Sequence, residues 1–414
     1  MRVYVESYGC TMNKGDADLI RGILSMNGFS LVDSLSEADL VVINTCTVKG
    51  PTERKMIKRI KEIKETNKKL VVSGCMSMAQ PELVKRIHPK AILLGPKSVD
   101  KIIPAIERDS DFLDEKTPNK TDLPTAENSK IIQISEGCLG NCSYCIVKMA
   151  RGQLKSFPLR NIIKRLREFV EKGRKEILLT ALDTAAYGQD LGLNLADLLY
   201  EIDKIDGEFW VRVGMMNPSH ALDFTDELVN AFKSEKIYKF LHLPVQSGDD
   251  DILEKMNRNY TVDDFKYIVN RFRKEIPYLT LSTDVIVGFP TETEEQFQNT
   301  YKLIEKIEPD VLNITRFSPR PFTEASRMKQ IPDWIKKNRS RKINELRSRI
   351  SLEKNKRWIG KRLKVLISEK GKKDDFIART FSYKPVIVSK DGKMLNEFIE
   401  VDITGAKENY LLGS

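Results

Sequence analysis

Three cysteines in one short segment, Cys138, Cys142 and Cys145, constrain this chain more than any other feature. Their spacing suits three corners of an iron–sulfur cluster and leaves the fourth iron without a protein ligand, whereas an electron-transfer cluster takes four thiolates. A zinc-binding or simply buried triplet is the alternative, but structural zinc sites use four ligands, in paired spacings. The segment therefore favours a cluster whose open iron binds a small molecule.

The other three cysteines, Cys10, Cys46 and Cys75, share one local pattern. Each follows a short apolar run typical of a buried strand, at residues 2–7, 40–44 and 70–74, and helix-like sequence comes next. Alternating strands and helices predict a parallel sheet, whose carboxyl edge carries ligand sites. Free core cysteines are the alternative. The shared position favours convergence of the three thiols and a second three-cysteine cluster.

Motifs along essentially the whole chain resemble those of the methylthiotransferase family of radical S-adenosyl-L-methionine (radical SAM) enzymes. They occur in the family's order, at residues 7–13, 44–48, 74–76, 138–145, 242–248 and 316–321. Residues 44–53 and 179–188 are most similar to the archaeal and eukaryotic branch, which acts on N6-threonylcarbamoyladenosine in tRNA.

The resemblance implies that the adenosine at tRNA position 37, 3′ of the anticodon, receives a 2-methylthio group. A [4Fe-4S] cluster on Cys138, Cys142 and Cys145 would cleave S-adenosyl-L-methionine to a 5′-deoxyadenosyl radical. A second [4Fe-4S] cluster on the other three cysteines would present the sulfur, which another S-adenosyl-L-methionine methylates. No side chain is assigned as catalytic, because the inert C2–H bond of adenine requires radical chemistry from cofactors.

The resemblance also suggests residues that bind S-adenosyl-L-methionine. Tyr144, beside the last cysteine of the segment, matches a position whose backbone approaches the adenine. Asp183 is expected to meet the ribose or the amine. Gly288 matches a strand that supports the adenosyl group, and a residue without a side chain allows close approach.

Three other functions remain open at this stage. The same chemistry on N6-isopentenyladenosine in tRNA, or on a ribosomal protein, is the nearest. A radical SAM enzyme of different chemistry would not need the three N-terminal cysteines to share a cluster. A non-enzymatic, RNA-binding iron–sulfur protein would not need an open iron.

Charge is concentrated in one region of the chain. Residues 327–364 contain fifteen Lys or Arg and three acidic residues, a net charge of +12 that exceeds the +10 of all 414 residues. A helix with one buried apolar face would leave a basic face for phosphates, and a merely solvated helix is the alternative. The residues expected to bind RNA are Lys336, Lys337, Arg339, Arg341 and Lys342.

The predicted fold class is α/β with three parts. Residues 1–107 form an N-terminal parallel-sheet domain with the second cluster, and residues 108–129, polar with two prolines, form a linker. Residues 130–354 alternate strands and helices as a partial (β/α)6 radical SAM barrel with the basic helical extension. Residues 355–414 form a small antiparallel β-barrel that resembles the family's RNA-binding TRAM module.

The cysteine count also bears on the cell compartment. Two triplets account for all six cysteines and leave none for disulfides, which predicts the reducing cytoplasm. No apolar run approaches membrane-spanning length, so no membrane association is expected. The resemblance implies the tRNA anticodon stem-loop, an electron donor protein and a sulfur source as partners.

Overall fold

The computed structural model describes residues 1–114, 116–372, 375–390 and 392–414. The chain forms two compact units. Unit 1 comprises residues 1–165, 180–182 and 318–327, and unit 2 comprises residues 166–179, 183–317 and 328–414. Within the described part of the chain, none of the helices combines the length and the apolar character that crossing a membrane requires.

Unit 1 is built on a five-stranded sheet in which all neighbouring strands run parallel, in the order β2-β1-β3-β4-β5. The strands of the unit are β1 (Arg2–Ser7), β2 (Ser30–Val32), β3 (Leu40–Thr45), β4 (Lys69–Gly74), β5 (Ile92–Leu94), β6 (Ile131–Gln133), β7 (Ser135–Glu136) and β8 (Lys155–Ser156). Its α-helices are α1 (Thr11–Met26), α2 (Gly50–Lys64), α3 (Cys75–Ala79), α4 (Pro81–Ile87), α5 (Ile102–Arg108) and α6 (Val147–Arg151).

Both faces of this sheet are covered by helices, because successive side chains of a strand point to opposite faces. In β3, Leu40 and Val42 pack with α1 and α5 on one face. Val41 and Ile43 pack with α2 and α4 on the other. The strand is buried along its whole length, which explains its continuous apolar sequence.

The segment predicted to be a linker, residues 108–129, is packed into unit 1 instead. Phe112 continues the edge of the sheet, where it accepts from Gly95 N–H and donates to the Leu93 carbonyl oxygen, both at 2.8 Å. Lys120 is buried and paired with two carboxylates of the same unit. Polar composition predicted exposure here, but Lys120 is buried because carboxylates from elsewhere in unit 1 pair with it.

Unit 2 begins with alternating strands and helices, as predicted for the barrel region. Strand β9 (Glu176–Thr180), whose last residue belongs to unit 1, pairs in parallel with β10 (Trp210–Arg212). Strands β11 (Phe240–His242), β12 (Thr280–Val287) and β13 (Val311–Arg316) form a second parallel set. The helices are α7 (Leu159–Glu171, which begins in unit 1), α8 (Leu195–Asp203), α9 (Pro218–Ala221), α10 (Thr225–Ala231), α11 (Asp250–Lys255), α12 (Val262–Glu275), α13 (Glu294–Ile307) and α14 (Asp333–Lys356).

Unit 2 ends in a closed five-stranded barrel, in the order β14-β15-β16-β18-β17. Its strands are β14 (Arg362–Lys370), β15 (Asp375–Thr380), β16 (Pro385–Ser389), β17 (Phe398–Ala406) and β18 (Leu411–Gly413). The pairs are antiparallel except β16–β18, which is parallel. The predicted small β-barrel is present; β18 is short, but Leu411 packs in the barrel core and the strand closes the sheet.

An aromatic contact and a buried ion pair are among the interactions that join this barrel to the rest of unit 2. Trp210 meets Phe398 edge to face, with ring centroids 4.7 Å apart. Lys384 is buried, and its Nζ lies 2.9 Å from Asp310 Oδ1 and 2.9 Å from Asn355 Oδ1.

We expect Lys384→Met to lower the free energy of unfolding by about 3 kcal/mol or more, because Asp310 would lose its closest buried cation. Lys364→Met is the matched control, since Lys364 pairs with Glu208 at the exposed surface, where an ion pair contributes at most about 1 kcal/mol. Denaturant unfolding of both variants measures the difference. Equal losses would contradict a structural role for the buried pair.

Candidate functional site

The N-terminal triplet, Cys10, Cys46 and Cys75, lies at the carboxyl edge of the unit 1 sheet. Cys10 is the N-cap of α1 after β1, Cys46 directly follows β3, and Cys75 directly follows β4 as the first residue of α3. Strands β1, β3 and β4 are neighbours and run parallel, so their ends coincide. The prediction that these cysteines converge at one edge is confirmed.

Two glycines with positive φ bring the backbone close to these cysteines. At Gly9, with φ of 105°, an added Cβ would lie 2.8 Å from Cys46 Cβ and 3.2 Å from its Sγ. At Gly74, with φ of 91°, it would lie 2.2 Å from Asn44 Oδ1 and 2.5 Å from the Thr45 carbonyl oxygen. A side chain at Gly9 would therefore clash with Cys46, and one at Gly74 with the two residues that precede Cys46.

The pKa values of two of these thiols depend on their burial. Burial raises the pKa of Cys75 to about 12, Arg151 opposes this, and the neighbouring Cys10 and Cys46 raise it further. Burial also raises the pKa of Cys46, with a contribution from Cys10. These mutual effects show that the three thiols are close. A metal must therefore displace protons when it binds here, and its positive charge compensates the buried thiolates.

The loop triplet, Cys138, Cys142 and Cys145, lies between β7 and α6, and all three thiols are partly exposed. Gly140 N–H donates to Cys138 Sγ at 3.3 Å, and hydrogen bonds to cysteine sulfur adjust the reduction potential of iron–sulfur clusters. A Cβ on Gly140 would lie 3.4 Å from Cys138 Sγ and 3.8 Å from Cys142 Sγ, so this glycine keeps the space between the two sulfurs free.

Neither triplet has the geometry of a single-ion site. Among the residues that the structure describes, no three His, Cys, Asp or Glu side chains converge closely enough to hold one metal ion. In a four-iron cluster each thiolate binds a different iron, so its cysteines stay further apart than the ligands of one ion. Each triplet supplies three thiolates, the ligand type that iron–sulfur clusters use.

The two triplets are adjacent within unit 1. Helix α3 begins at Cys75 and packs against α6, which follows the loop triplet; Cys75 and Ala79 share an apolar contact with Ile146 and Ala150. The two cysteine-bearing segments therefore contact each other directly.

A buried charge cluster of Asp16, Lys120, Glu136 and Arg151 lies in the same unit. Lys120 Nζ lies 2.6 Å from Asp16 Oδ1 and 2.5 Å from Glu136 Oε2. Arg151 lies 2.6 Å from Asp16 Oδ2 and 2.7 Å from Glu136 Oε1. Burial alone raises the pKa of Asp16, but Arg151 and Lys120 hold it below its ordinary value. The sequence analysis did not identify this cluster.

Another buried polar group lies next to Cys46. Arg320 Nη2 donates to Thr47 Oγ1 at 3.0 Å and pairs with Glu53, while Thr47 also bonds to Gln80. Sequence reasoning missed these contacts too, although Arg320 belongs to the motif at residues 316–321 and Thr47 to the motif at 44–48.

Two of the residues predicted to bind S-adenosyl-L-methionine occupy different surroundings. Tyr144 is half-buried in the loop triplet of unit 1. Asp183 is buried in unit 2, where Oδ1 accepts from the N–H groups of Ala185 at 3.1 Å and Asn217 at 2.9 Å. Its Oδ2 lies 2.5 Å from Nδ1 of His220. The chain's own groups thus hold this carboxylate, and its contact with the cofactor stays a prediction.

Gly288, the third residue predicted to bind S-adenosyl-L-methionine, directly follows β12 and has a φ of 72°. Its N–H donates to Glu292 Oε2 at 2.7 Å. A Cβ there would lie 2.2 Å from Lys336 Cγ, so the stem of this lysine occupies the space beside the glycine.

Only part of the predicted RNA-binding set is on the surface. Lys336 is 5% exposed, and Arg339 is 4% exposed and paired with Glu292 at 2.6 Å. Both side chains are buried in unit 2, so the prediction that these two residues bind RNA is wrong. The sequence count of charges did not show which face each side chain takes. Lys337 and Arg341 are exposed, and Lys342 is partly exposed.

The exposed pair borders a groove between β13 and the first half of α14. The groove has a volume of about 760 Å³. Its lining contains three basic residues and an aromatic residue but no carboxylate: Ile314, Arg316, Trp334, Lys337, Asn338, Ser340, Arg341 and Asn344. Trp334 is 71% exposed, which is unusual for so large an apolar side chain.

Family models match three stretches of the chain. Residues 132–304 match the radical SAM superfamily, and residues 356–414 match the TRAM domain. Residues 2–95 match an uncharacterised protein family, UPF0004.

Curated relatives match from end to end. A probable threonylcarbamoyladenosine tRNA methylthiotransferase of Pyrococcus horikoshii is 45% identical over 100% of this chain and 99% of the relative. The threonylcarbamoyladenosine tRNA methylthiotransferase of Homo sapiens is 34% identical over 100% of this chain and 73% of the relative.

Among solved structures, the radical S-adenosylmethionine methyltransferase TsrM of Kitasatospora setae is similar in fold. Its TM-score is 0.58 at 16% identity, covering 78% of this chain and 76% of that one. These comparisons confirm the predicted fold class: a parallel-sheet N-terminal domain, a radical SAM core and a TRAM barrel.

Methylthiotransferases of this kind use two [4Fe-4S] clusters together with S-adenosyl-L-methionine, which agrees with the two cysteine triplets of unit 1. With full-length relatives at 34% and 45% identity, this chain belongs to the threonylcarbamoyladenosine tRNA methylthiotransferase family of radical SAM enzymes.

Proposed function

We propose that this enzyme converts N6-threonylcarbamoyladenosine, 3′ of the anticodon of tRNA, to its 2-methylthio derivative. The observation that carries the proposal is the presence of two cysteine triplets on segments that contact each other within one unit. The names of the full-length relatives support this modified base over N6-isopentenyladenosine or a ribosomal protein.

When bound, the two clusters and S-adenosyl-L-methionine supply the radical, the sulfur and the methyl group. The chain's own residues hold these groups and control access. Cys138, Cys142 and Cys145 are partly exposed, so their open iron is assigned to S-adenosyl-L-methionine. Cys46 and Cys75 are buried while Cys10 is exposed, so we assign sulfur transfer to the side of the N-terminal triplet that Cys10 occupies. Burial on the other side excludes water.

We assign Tyr144, Asp183 and Gly288 to S-adenosyl-L-methionine. Support for Gly288 comes from its positive φ directly after β12, a backbone conformation that favours a residue without a side chain. Support for Asp183 comes from its fixed carboxylate and its partner His220, whose ring is partly exposed at 18%. The pair offers a polar group to a ribose or an amine.

The groove beside Trp334 is the surface we assign to the tRNA anticodon stem-loop. Arg316, Lys337 and Arg341 supply charge for phosphates, and Trp334 supplies a ring on which an unpaired base can stack. The TRAM barrel adds a second RNA-binding element. We also propose an electron donor protein and a sulfur source as partners, and a reducing cytoplasmic location, which six cysteines without disulfides favour.

The substrate assignment is tested by mass spectrometry of tRNA nucleosides from a strain that lacks the gene. We expect the 2-methylthio derivative of N6-threonylcarbamoyladenosine to disappear and the unmodified parent nucleoside to accumulate. Plasmid expression of the intact gene is the control and should restore the derivative. Loss of a methylthiolated isopentenyladenosine instead would refute the assignment.

Replacing one cysteine of each triplet separates the roles of the two clusters. Anaerobically reconstituted protein should hold about eight irons, and Cys142→Ala and Cys46→Ala about four each. Cys142→Ala should form no 5′-deoxyadenosine, because the open iron is lost. Cys46→Ala should form it without methylthiolated product. Iron analysis and chromatography measure these outcomes, and normal product from Cys46→Ala would rule out a cluster on the N-terminal triplet.

The groove assignment predicts a change in the salt dependence of tRNA binding. Lys337→Gln/Arg341→Gln should reduce the slope of log affinity against log salt by about 1.5, since each phosphate contact contributes about 0.7–0.9. The matched control is Lys302→Gln/Lys306→Gln, which removes two exposed charges from α13. Titrations at several salt concentrations measure both slopes. Equal slopes for the two double variants would exclude the groove.

A further inference from the structure

We propose that Arg151 is a positioning residue that raises the reduction potential of the iron–sulfur cluster on Cys10, Cys46 and Cys75 and ties that site to the loop triplet. The inference rests on the proposed function in one respect, the presence of a four-iron cluster on the N-terminal triplet.

Arg151 contacts the N-terminal triplet through Asn13. Its Nη2 donates to Asn13 Oδ1 at 2.8 Å, and Cys75 Sγ lies 3.7 Å from the same oxygen. Asn13 Nδ2 donates to the carbonyl oxygens of Tyr8 at 2.8 Å and Thr45 at 2.9 Å. One asparagine thus links the guanidinium to the backbone near all three cysteines.

The same guanidinium is bonded to the segment that carries the loop triplet. It donates to Glu136, two residues before Cys138, at 2.7 Å, and it is itself six residues after Cys145. Arg151 therefore closes the base of this cysteine loop while it contacts Asn13. A shift in either triplet would strain bonds to the other.

Arg151 has unused capacity for a hydrogen bond at this site. Its side chain is fully buried, and its Nε has no partner among the residues that the structure describes. The asparagine oxygen that accepts from this guanidinium lies 3.7 Å from Cys75 Sγ, so Arg151 lies beside the cysteine site. A buried donor without a partner is costly, so a nearby thiolate or cluster sulfide is its natural acceptor.

The charge of Arg151 has a predictable effect on a cluster. Reduction adds one negative charge to a group that three thiolates already make anionic. A buried cation and a hydrogen bond to sulfur stabilise the reduced form, which raises the potential. Because the Arg151 side chain is fully buried, this effect is weakly screened.

Lys120 supplies an internal control. Lys120 and Arg151 are both buried cations, and each pairs with the same two carboxylates, Asp16 and Glu136, at 2.5 to 2.7 Å. Only Arg151 also bonds to Asn13 and acts on Cys75. Removing Lys120 or Arg151 takes one cation from the same two carboxylates. Only the removal of Arg151 also takes a charge from beside the cysteine site.

The experiment compares Arg151→Gln/Glu136→Gln with Lys120→Gln/Glu136→Gln in full-length protein that also carries Cys142→Ala. Each double variant removes one cation and one anion, so the buried cluster stays neutral. Redox titration followed by electron paramagnetic resonance reads the remaining cluster. We expect the Arg151 variant to lower the ratio of reduced to oxidised cluster at a set potential about tenfold. For one electron this is a decrease of about 59 mV in the reduction potential. The Lys120 variant should shift the ratio less than threefold.

Equal shifts in the two variants, or no shift in either, would overturn the inference. If the Arg151 variant fails to hold a cluster, iron analysis decides: loss confined to that variant supports the positioning role, and equal loss in both contradicts it. Cys142→Ala protein with Arg151 intact must retain about four irons. Absence of iron there would refute the N-terminal cluster itself, which separates failure of the proposed function from failure of this inference.

Discussion

The parallel alignment of β1, β3 and β4 is the constraint on which the functional site depends. Cys10, Cys46 and Cys75 are distant in sequence, and only the common carboxyl edge of these neighbouring strands brings them together. The glycines at positions 9 and 74 then remove the side chains that would keep the strand ends apart. A one-residue slip in the register of any of these strands would turn its cysteine away from the other two.

This convergence has an energetic cost that a metal group offsets. Burial raises the pKa of Cys46 and Cys75, so neutral thiols are the stable form when no metal is bound. Binding of a cluster exchanges protons for iron and makes the affinity depend on pH. Arg151 reduces the cost of ionising Cys75, and its ion pairs with Asp16 and Glu136 hold the guanidinium in place. The site thus depends on charges that lie outside the set of ligands.

The sequence was sufficient for features that repeat a local pattern. The cysteine-bearing strands were predicted because each contains a short run of apolar residues and is followed by a thiol. The sequence did not predict features that depend on whether a side chain points inward or outward. Lys120 lies in a polar stretch that is typical of a linker, yet it is buried against carboxylates contributed by α1 and β7. Local sequence contains no signal for such pairing, because the partners are separated by up to 104 residues.

Helix α14 shows why the number of basic residues in a segment does not give the number of charges on the protein surface. Lys336 and Lys337 are adjacent in sequence, but successive residues on a helix point about 100° apart. Lys336 turns inward, where its stem fills the space that Gly288 leaves beside β12, and Lys337 turns outward into the groove. The helix therefore supports the predicted cofactor-binding strand with one residue and presents a phosphate-binding charge with the next. A displacement of α14 that moves Lys337 also moves Lys336 against Gly288, so the groove and the end of β12 are mechanically coupled within unit 2.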